Sequence, residues 1–513
     1  MARADFTALR TGFSVANPLV SANAAGTVAT LALAAFVTAV PVFIHLANQA
    51  FAVIICCSLA ALIAIYAATT VPAILIFSFV FQNAFVAVVS PQLVSVDQFN
   101  AIRAYNFIST AVVWMVIVGQ YWMARSAVDA RLRSLMRMTT LALIGIGFYF
   151  CLGLATDPVG ATIYLRNICT PFLLFQIFTL VAYRNRVVLA SALVVIAFAT
   201  LLFGYIEFFA DEKFFELING EAYLKWAMMQ QYESGSWLNE LHTAGRVIRS
   251  HLDATTIDFL NTSLLGEFGL RFHRLLGPNF HSISFAYGLA FFAVVLSALG
   301  QWWCVILAIP LLLVIGSKGA LIFTVMVILT LLLATRVRSA WLLWGYQTLL
   351  VLYIAVTIDT GIRVEDYHVI GLIGGLNGFL SNPLGHGIGL GGNLTLGATT
   401  TIDWARAQQL GTTGIAVESA IGVLLFQMGI AGACLLALLF WIARKCWKLY
   451  TQSGNRLFAV AALGLLSIMA NGFFQEEALF APLALGPVLA LAGLLLGRAY
   501  RPSETAICSM RLR

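Results

Sequence analysis

Charge is scarce in this chain. Only 10% of its 513 residues are Asp, Glu, Lys or Arg, against roughly 25% in a soluble globular domain. That scarcity excludes a soluble fold of this size. With 61% hydrophobic residues, the chain carries more apolar surface than one core can hide, whereas a bilayer can accept it. The 29 basic and 22 acidic residues are therefore not a nucleic-acid signal, and their distribution decides their meaning. The eight cysteines all avoid the two long polar segments, so no disulfide framework is expected there. No His-Glu-x-x-His, Gly-x-Ser-x-Gly or Walker A pattern occurs. Neither a metal cluster nor a serine nucleophile is expected, and no cofactor is implied. Internal repeats and low-complexity tracts are also missing.

What is present is a succession of apolar runs. A spanning helix needs about 20 apolar residues, and lone strands cannot satisfy their backbone in lipid. Spans are expected at 26–46, 51–68, 72–89, 107–123, 139–155, 167–182, 188–208, 281–299, 302–316, 319–335, 340–358, 419–442, 457–473 and 480–497. The first run is long enough to cross and others follow it, so it is not a cleavable signal peptide. The stretch 302–335 would be about 50 Å long as one helix, too long for a ~30 Å hydrocarbon core. It is interrupted at Gly316-Ser317-Lys318-Gly319, which makes two spans of it. The expectation is an all-α polytopic membrane protein of about 14 transmembrane helices.

Charge gives the orientation. With the N-terminus inside, the inner segments hold 18 basic residues and 3 acids, a net +15; the remaining 11 basic residues and 19 acids leave −8. This follows the positive-inside rule and puts both termini in the cytoplasm. The chain then divides into an N-terminal bundle of about 7 spans (1–208), a first outer loop (209–280), central spans (281–358), a second outer loop (359–418), and C-terminal spans with a tail (419–513). All seven histidines fall in or beside outer segments. In the first outer loop, Trp237, Leu238, Leu241, Val247, Ile248 and Leu252 recur at helical spacing after Ser236, a plausible N-cap.

Basic residues left outside against that bias are informative. Arg166 begins a span, Arg271 and Arg274 precede another, and Lys318 sits in the tight turn between two short spans. A charge at a helix centre in lipid costs about 2.5–3.5 kcal/mol on insertion scales, so such groups have a partner or a task. Holding a phosphate or pyrophosphate suits them all: Arg as a bidentate fork, Lys as a point charge. The structural alternative is snorkelling, or an ion pair with Glu267 or Asp157. The run Asn382-Pro383-Leu384-Gly385-His386-Gly387-Ile388-Gly389-Leu390-Gly391-Gly392-Asn393 offers backbone N–H groups for an anion nest, or else a turn. Glu418, at the start of a span, is favoured by the helix dipole and is a candidate general base, with His281 and His386.

The order of these features resembles the O-antigen ligase and Wzy-type polysaccharide polymerase superfamily of bacterial inner membranes, over residues 160–450. The resemblance rests on Arg271-Phe272-His273-Arg274-Leu275-Leu276-Gly277-Pro278-Asn279-Phe280-His281, then Ser317-Lys318-Gly319-Ala320, then Asn382 to Gly389, then Phe426-Gln427-Met428-Gly429-Ile430-Ala431-Gly432. Two departures stand out. Ser317-Lys318-Gly319 replaces the family's Ser-Arg-Gly, and Glu418-Ser419 replaces the ligase branch's His-Asn pair. The second leans toward a polymerase. The resemblance implies roles for Arg271 and for Arg363, which is followed by Gly374 at an Arg-x10-Gly spacing. It implies an inner-membrane, metal-independent glycosyltransferase acting at the periplasmic face. The enzyme would move a glycan from undecaprenyl pyrophosphate to an acceptor sugar hydroxyl. Arg166, Arg271, Arg274, Lys318 and Arg363 would hold the pyrophosphate, and Glu418, His281 and His386 are the base candidates. Partners are the lipid-linked glycan, the acceptor glycan and the bilayer, with chain-length regulator or export proteins as further candidates and no nucleic acid. The competing expectations are an O-antigen ligase to lipid A core or another acceptor, and a lipid-linked oligosaccharide flippase.

Overall fold

The computed structural model describes residues 23–187, 189–233, 256–259, 271–337, 339–394 and 402–502. The amphipathic stretch after Ser236 lies outside them.

The chain is an α-helical, multi-pass membrane protein. Its helices in chain order are α1 (Ala24–His45), α2 (Gln49–Tyr66), α3 (Val71–Val89), α4 (Val96–Arg103), α5 (Tyr105–Met123), α6 (Ala130–Leu154), α7 (Pro158–Arg184), α8 (Ala190–Leu217) and α9 (Gly220–Glu233). After a two-stranded antiparallel ribbon of β1 (Thr256–Asp258) and β2 (Arg271–His273) come α10 (Ser282–Ala298), α11 (Trp303–Ile315), α12 (Lys318–Ala334), α13 (Ala340–Arg363), α14 (Tyr367–Ser381) and α15 (Trp404–Leu410). The chain finishes with α16 (Ala420–Ser453), α17 (Arg456–Asn471), the one-turn α18 (Glu477–Phe480) and α19 (Leu485–Ala499). Each expected span overlaps one of these helices, except that 480–497 begins at the end of α18 and continues on α19 across a turn at 481–484. Among the described residues, nine helical stretches are long and apolar enough to cross a membrane, and α10, α11, α12, α17 and α19 are shorter apolar helices.

Local chemistry explains the helix ends. Asn23, Asn48 and Asp157 cap α1, α2 and α7, each accepting from a backbone N–H three residues on, which satisfies one of the orphan donors at a helix start. The 302–335 run does break. α11 stops at Gly316, whose φ of 69° is the left-handed turn-off that glycine adopts freely.

α7 and α19 form the centre of the bundle, with Asn167 to Ala182 of α7 continuously buried. Gly493 and Gly497 make the closeness possible: a β-carbon on Gly497 would lie 2.1 Å from the Thr179 carbonyl oxygen. Small residues four apart are the usual device for tight helix contact in lipid, where no hydrophobic force drives helices together. By contrast α2, α6 and α13 carry rows of exposed large apolar side chains, among them Ile54, Leu141, Phe148 and Trp344. On a membrane protein such a surface faces acyl chains.

The glycine-rich run 382–393 is a packed strap. The N–H groups of His386 and Gly387 donate to the carbonyls of Phe426 and Gln427, at 3.0 and 2.9 Å, and Ile388 donates to Tyr149 at 3.0 Å. Gly392 donates to Ala416 at 2.7 Å. α16 is kinked at Gly429 (φ 54°, ψ −134°), and the strap takes the carbonyls the kink releases. With those donors committed to the protein, the strap is not an open anion nest.

Candidate functional site

At one end of the bundle the starts of α5, α7 and α10, the ends of α3 and α4, the strap and the α17–α19 connection converge on a polar cavity of about 160 Å³. Its lining includes Arg103, Arg166, His281, Glu476 and Glu477, with Asn83, Asn106, Asn167, Asn279 and Asn393 among them.

Arg103 ends α4, which Ser95 caps by accepting from Gln98 N–H at 3.1 Å. The Gln82 amide donates to the Arg103 carbonyl at 3.1 Å, and the guanidinium lies 4.9 Å from the Phe99 ring centre and 5.8 Å from that of Tyr223. Such cation–π contacts keep the group oriented. Arg166 sits two turns into α7; its Nε donates to Asn167 Oδ1 at 3.3 Å. The two guanidiniums are close enough to repel. Among the described residues neither has a carboxylate within ion-pair distance.

The segment before α10 is pinned from below by buried Glu207, whose two oxygens accept from Leu276 and Gly277 N–H at 2.6 and 2.9 Å. Asn83 Nδ2 donates to the Asn279 carbonyl at 2.7 Å and ties this segment to α3. His281 then caps α10, its Nδ1 accepting from Ser284 N–H at 3.2 Å. Burial among protein atoms, and after it the charges of Arg274 and Arg103, hold its pKa below the ordinary range, so at neutral pH the ring is uncharged.

Glu476, also in the cavity lining, is fully buried. The Tyr164 hydroxyl donates to its Oε1, and Asn393 N–H donates to Oε2 at 2.8 Å. Burial pushes this carboxyl up to about 8, so at neutral pH it is mainly protonated. Glu477 beside it is also raised by burial and feels Glu418, His368 and Arg274. Glu418 takes a left-handed conformation (φ 62°). Its Oε2 stands 3.4 Å from His368 Nδ1, and its N–H donates to Asn393 Oδ1 at 3.3 Å. Burial pulls the His368 imidazole down, but the Glu418 carboxylate more than offsets this and the net shift is upward.

Of the residues singled out in the sequence, Arg166 and His281 line the cavity. Arg274 and Glu418 stand at its border. Arg274 Nε donates to the Ile315 carbonyl at 3.1 Å and its charge reaches both His281 and Glu477. Lys318 is exposed at the start of α12; the neighbouring Gly319 carbonyl accepts from Asn471 Nδ2 at 2.8 Å, so the turn abuts the segment that carries Glu476. Arg363 is exposed and pairs with Asp359 on its own helix at 2.9 Å. His386 stacks on Phe426, with ring centres 4.1 Å apart, and its Nδ1 lies 3.0 Å from the Phe426 carbonyl oxygen; it anchors the strap. For Arg271, the strand backbone is described and the side chain is not. Sequence reasoning passed over Glu476, Glu477 and His368. The signal available was Gln475-Glu476-Glu477, a doubled acid inside an otherwise apolar stretch.

Compared with protein-family models, curated proteins and solved structures, the chain matches none. The chemistry of the site therefore stands on its geometry. The cavity lining combines cations and amide groups suited to an anion with carboxyl groups suited to hydroxyl groups and protons.

Proposed function

We propose that this protein is a polysaccharide polymerase of a bacterial inner membrane. It takes a glycan from undecaprenyl pyrophosphate at the periplasmic face and joins it to an acceptor sugar hydroxyl. On this reading all fourteen apolar helices cross the bilayer, both termini are cytoplasmic, and the cavity opens on the periplasmic side. One observation carries the proposal: Arg103 and Arg166 share an asparagine-lined cavity at a helix-bundle end, with no carboxylate paired to either among the described residues. Two like charges held together in a partly desolvated site favour a multiply charged anion. A diphosphate on an isoprenoid combines that charge with a tail suited to the surrounding lipid. In the transfer, charge builds on the departing diphosphate, and fixed guanidiniums stabilise it without reorganising.

The test is reconstitution in proteoliposomes with a lipid-linked repeat unit. Wild-type protein is expected to lengthen the glycan and Arg166→Ala to fail. Normal polymer from that variant would overturn the assignment. Gene deletion separates this reading from its rivals. Loss of a polymerase leaves single repeats at the surface, loss of a ligase leaves polymer on its lipid carrier, and loss of a flippase traps units inside.

A further inference from the structure

Glu476 and Glu477 are neighbours on one wall of the cavity, yet their surroundings differ. Both oxygens of Glu476 are committed, one to the Tyr164 hydroxyl and one to Asn393 N–H. Among the described residues the Glu477 carboxylate meets no donor but its own backbone N–H, and it faces the cavity. Arg103 and Arg166 line the same cavity; close enough to act on its charge are Arg274, His368 and Glu418. The other base candidates are occupied. His281 Nδ1 caps α10, His386 is stacked on Phe426, and Glu418 faces His368 at 3.4 Å without lining the cavity.

We infer that Glu477 is the catalytic base that takes the proton of the acceptor sugar hydroxyl. This rests on the polymerase reading above. With the diphosphate against Arg103 and Arg166, the sugar's anomeric carbon lies within the cavity that Glu477 also lines. The hydroxyl proton passes to the Glu477 carboxylate as the hydroxyl oxygen bonds to the anomeric carbon. The bond from that carbon to the phosphate oxygen breaks, and its electron pair leaves with the diphosphate. Glu477 then releases the proton to solvent. Glu476, already satisfied by two donors, holds the wall in place as a positioning residue.

The test uses full-length protein in proteoliposomes. The donor is lipid-linked oligosaccharide extracted from a host lacking the gene, and binding is read separately as the thermal shift induced by undecaprenyl pyrophosphate. Removing a general base lowers turnover by about 10²–10⁴-fold. Glu477→Ala is expected to show that loss, to keep the wild-type thermal shift, and to regain polymer formation when formate is added. Glu477→Asp retains part of the activity. Wild-type turnover in Glu477→Ala, or loss of the thermal shift together with activity and no response to formate, would overturn the assignment while leaving the polymerase reading in place. Absence of polymer from the wild-type protein would overturn both.

Discussion

The two ends of the bundle use arginine differently. At the end away from the cavity, Arg131, Arg133 and Arg137 on α6 are exposed. Arg131 pairs with Asp129 at 3.2 Å, with 68% of its own side chain exposed, and Arg125 lies over the Trp122 ring at 4.5 Å. These cations snorkel to water and rest on aromatic rings, an arrangement that needs little from the fold. At the cavity end, Arg103, Arg166 and Arg274 are partly enclosed, and Arg166 and Arg103 face each other. The same side chain is therefore left in solvent at one end and partly enclosed at the other. What separates them is solvent access, which a count of charges does not report.

This contrast is breakable, and the largest effect is expected at Arg166. Arg166→Ala should lower single-turnover polymer formation by about 10²–10³-fold, the loss seen when one preorganised donor to a developing anion is removed. Arg166→Lys should fall between, because it keeps charge and loses the fork; equal rates for the two variants would mean that charge alone contributes nothing and the fork carries the effect. Next comes Glu418→Gln, which leaves His368 without its carboxylate and should cost up to about fivefold, since an ion pair of this kind is worth about 0–1 kcal/mol; the pH–rate profile of this variant checks it.

A stability effect distinguishes the acidic wall. Burial lifts Glu476 from 4.5 to about 8. Between those values the unfolded chain gives up its proton while the folded protein keeps it. Stability is therefore full below pH 4.5 and declines as pH rises to about 8. Melting temperature in detergent should fall across that window, and Glu476→Gln should flatten the slope. A variant with the wild-type slope would remove Glu476 as its source. The smallest effects are expected at Arg131→Ala and Arg363→Ala, whose exposed ion pairs are worth about 0–1 kcal/mol. Both should melt and polymerise within twofold of wild type, and a large loss at Arg363 would bring it back into the site.

The helices were legible because apolar run length and breakers act locally. The interruption at Gly316-Ser317-Lys318-Gly319 split α11 from α12, as the run's excess length required. α14, inside the second outer loop, was not legible. It is glycine-rich, and its helix is held by packing on α16 rather than by propensity; Gly375 lies within reach of the Gly422 backbone. The cavity was half legible. Arg166 and His281 stood out as charge or polarity at a span edge. Glu476 and Glu477 did not, because the significance of Glu476 comes from Tyr164, more than three hundred positions earlier, and Asn393, and that of Glu477 from Arg274, His368 and Glu418. Their contacts are tertiary, and no local pattern encodes them. His386 looked like a base because the sequence displays its ring nitrogen and hides the phenylalanine it rests on.

The strap also constrains the order of assembly. Its donors reach back to Tyr149 on α6 and forward to Phe426 and Gln427 on α16, so it cannot close until both helices are in the membrane. A chain halted before Ala420 would hold the N-terminal helices and their arginines, yet leave the strap amides of His386 and Gly387 without acceptors and Glu476 and Glu477 unmade. Competence is thus acquired late in synthesis, when the part of the polypeptide from Ala420 onward locks down what the earlier part has only laid out.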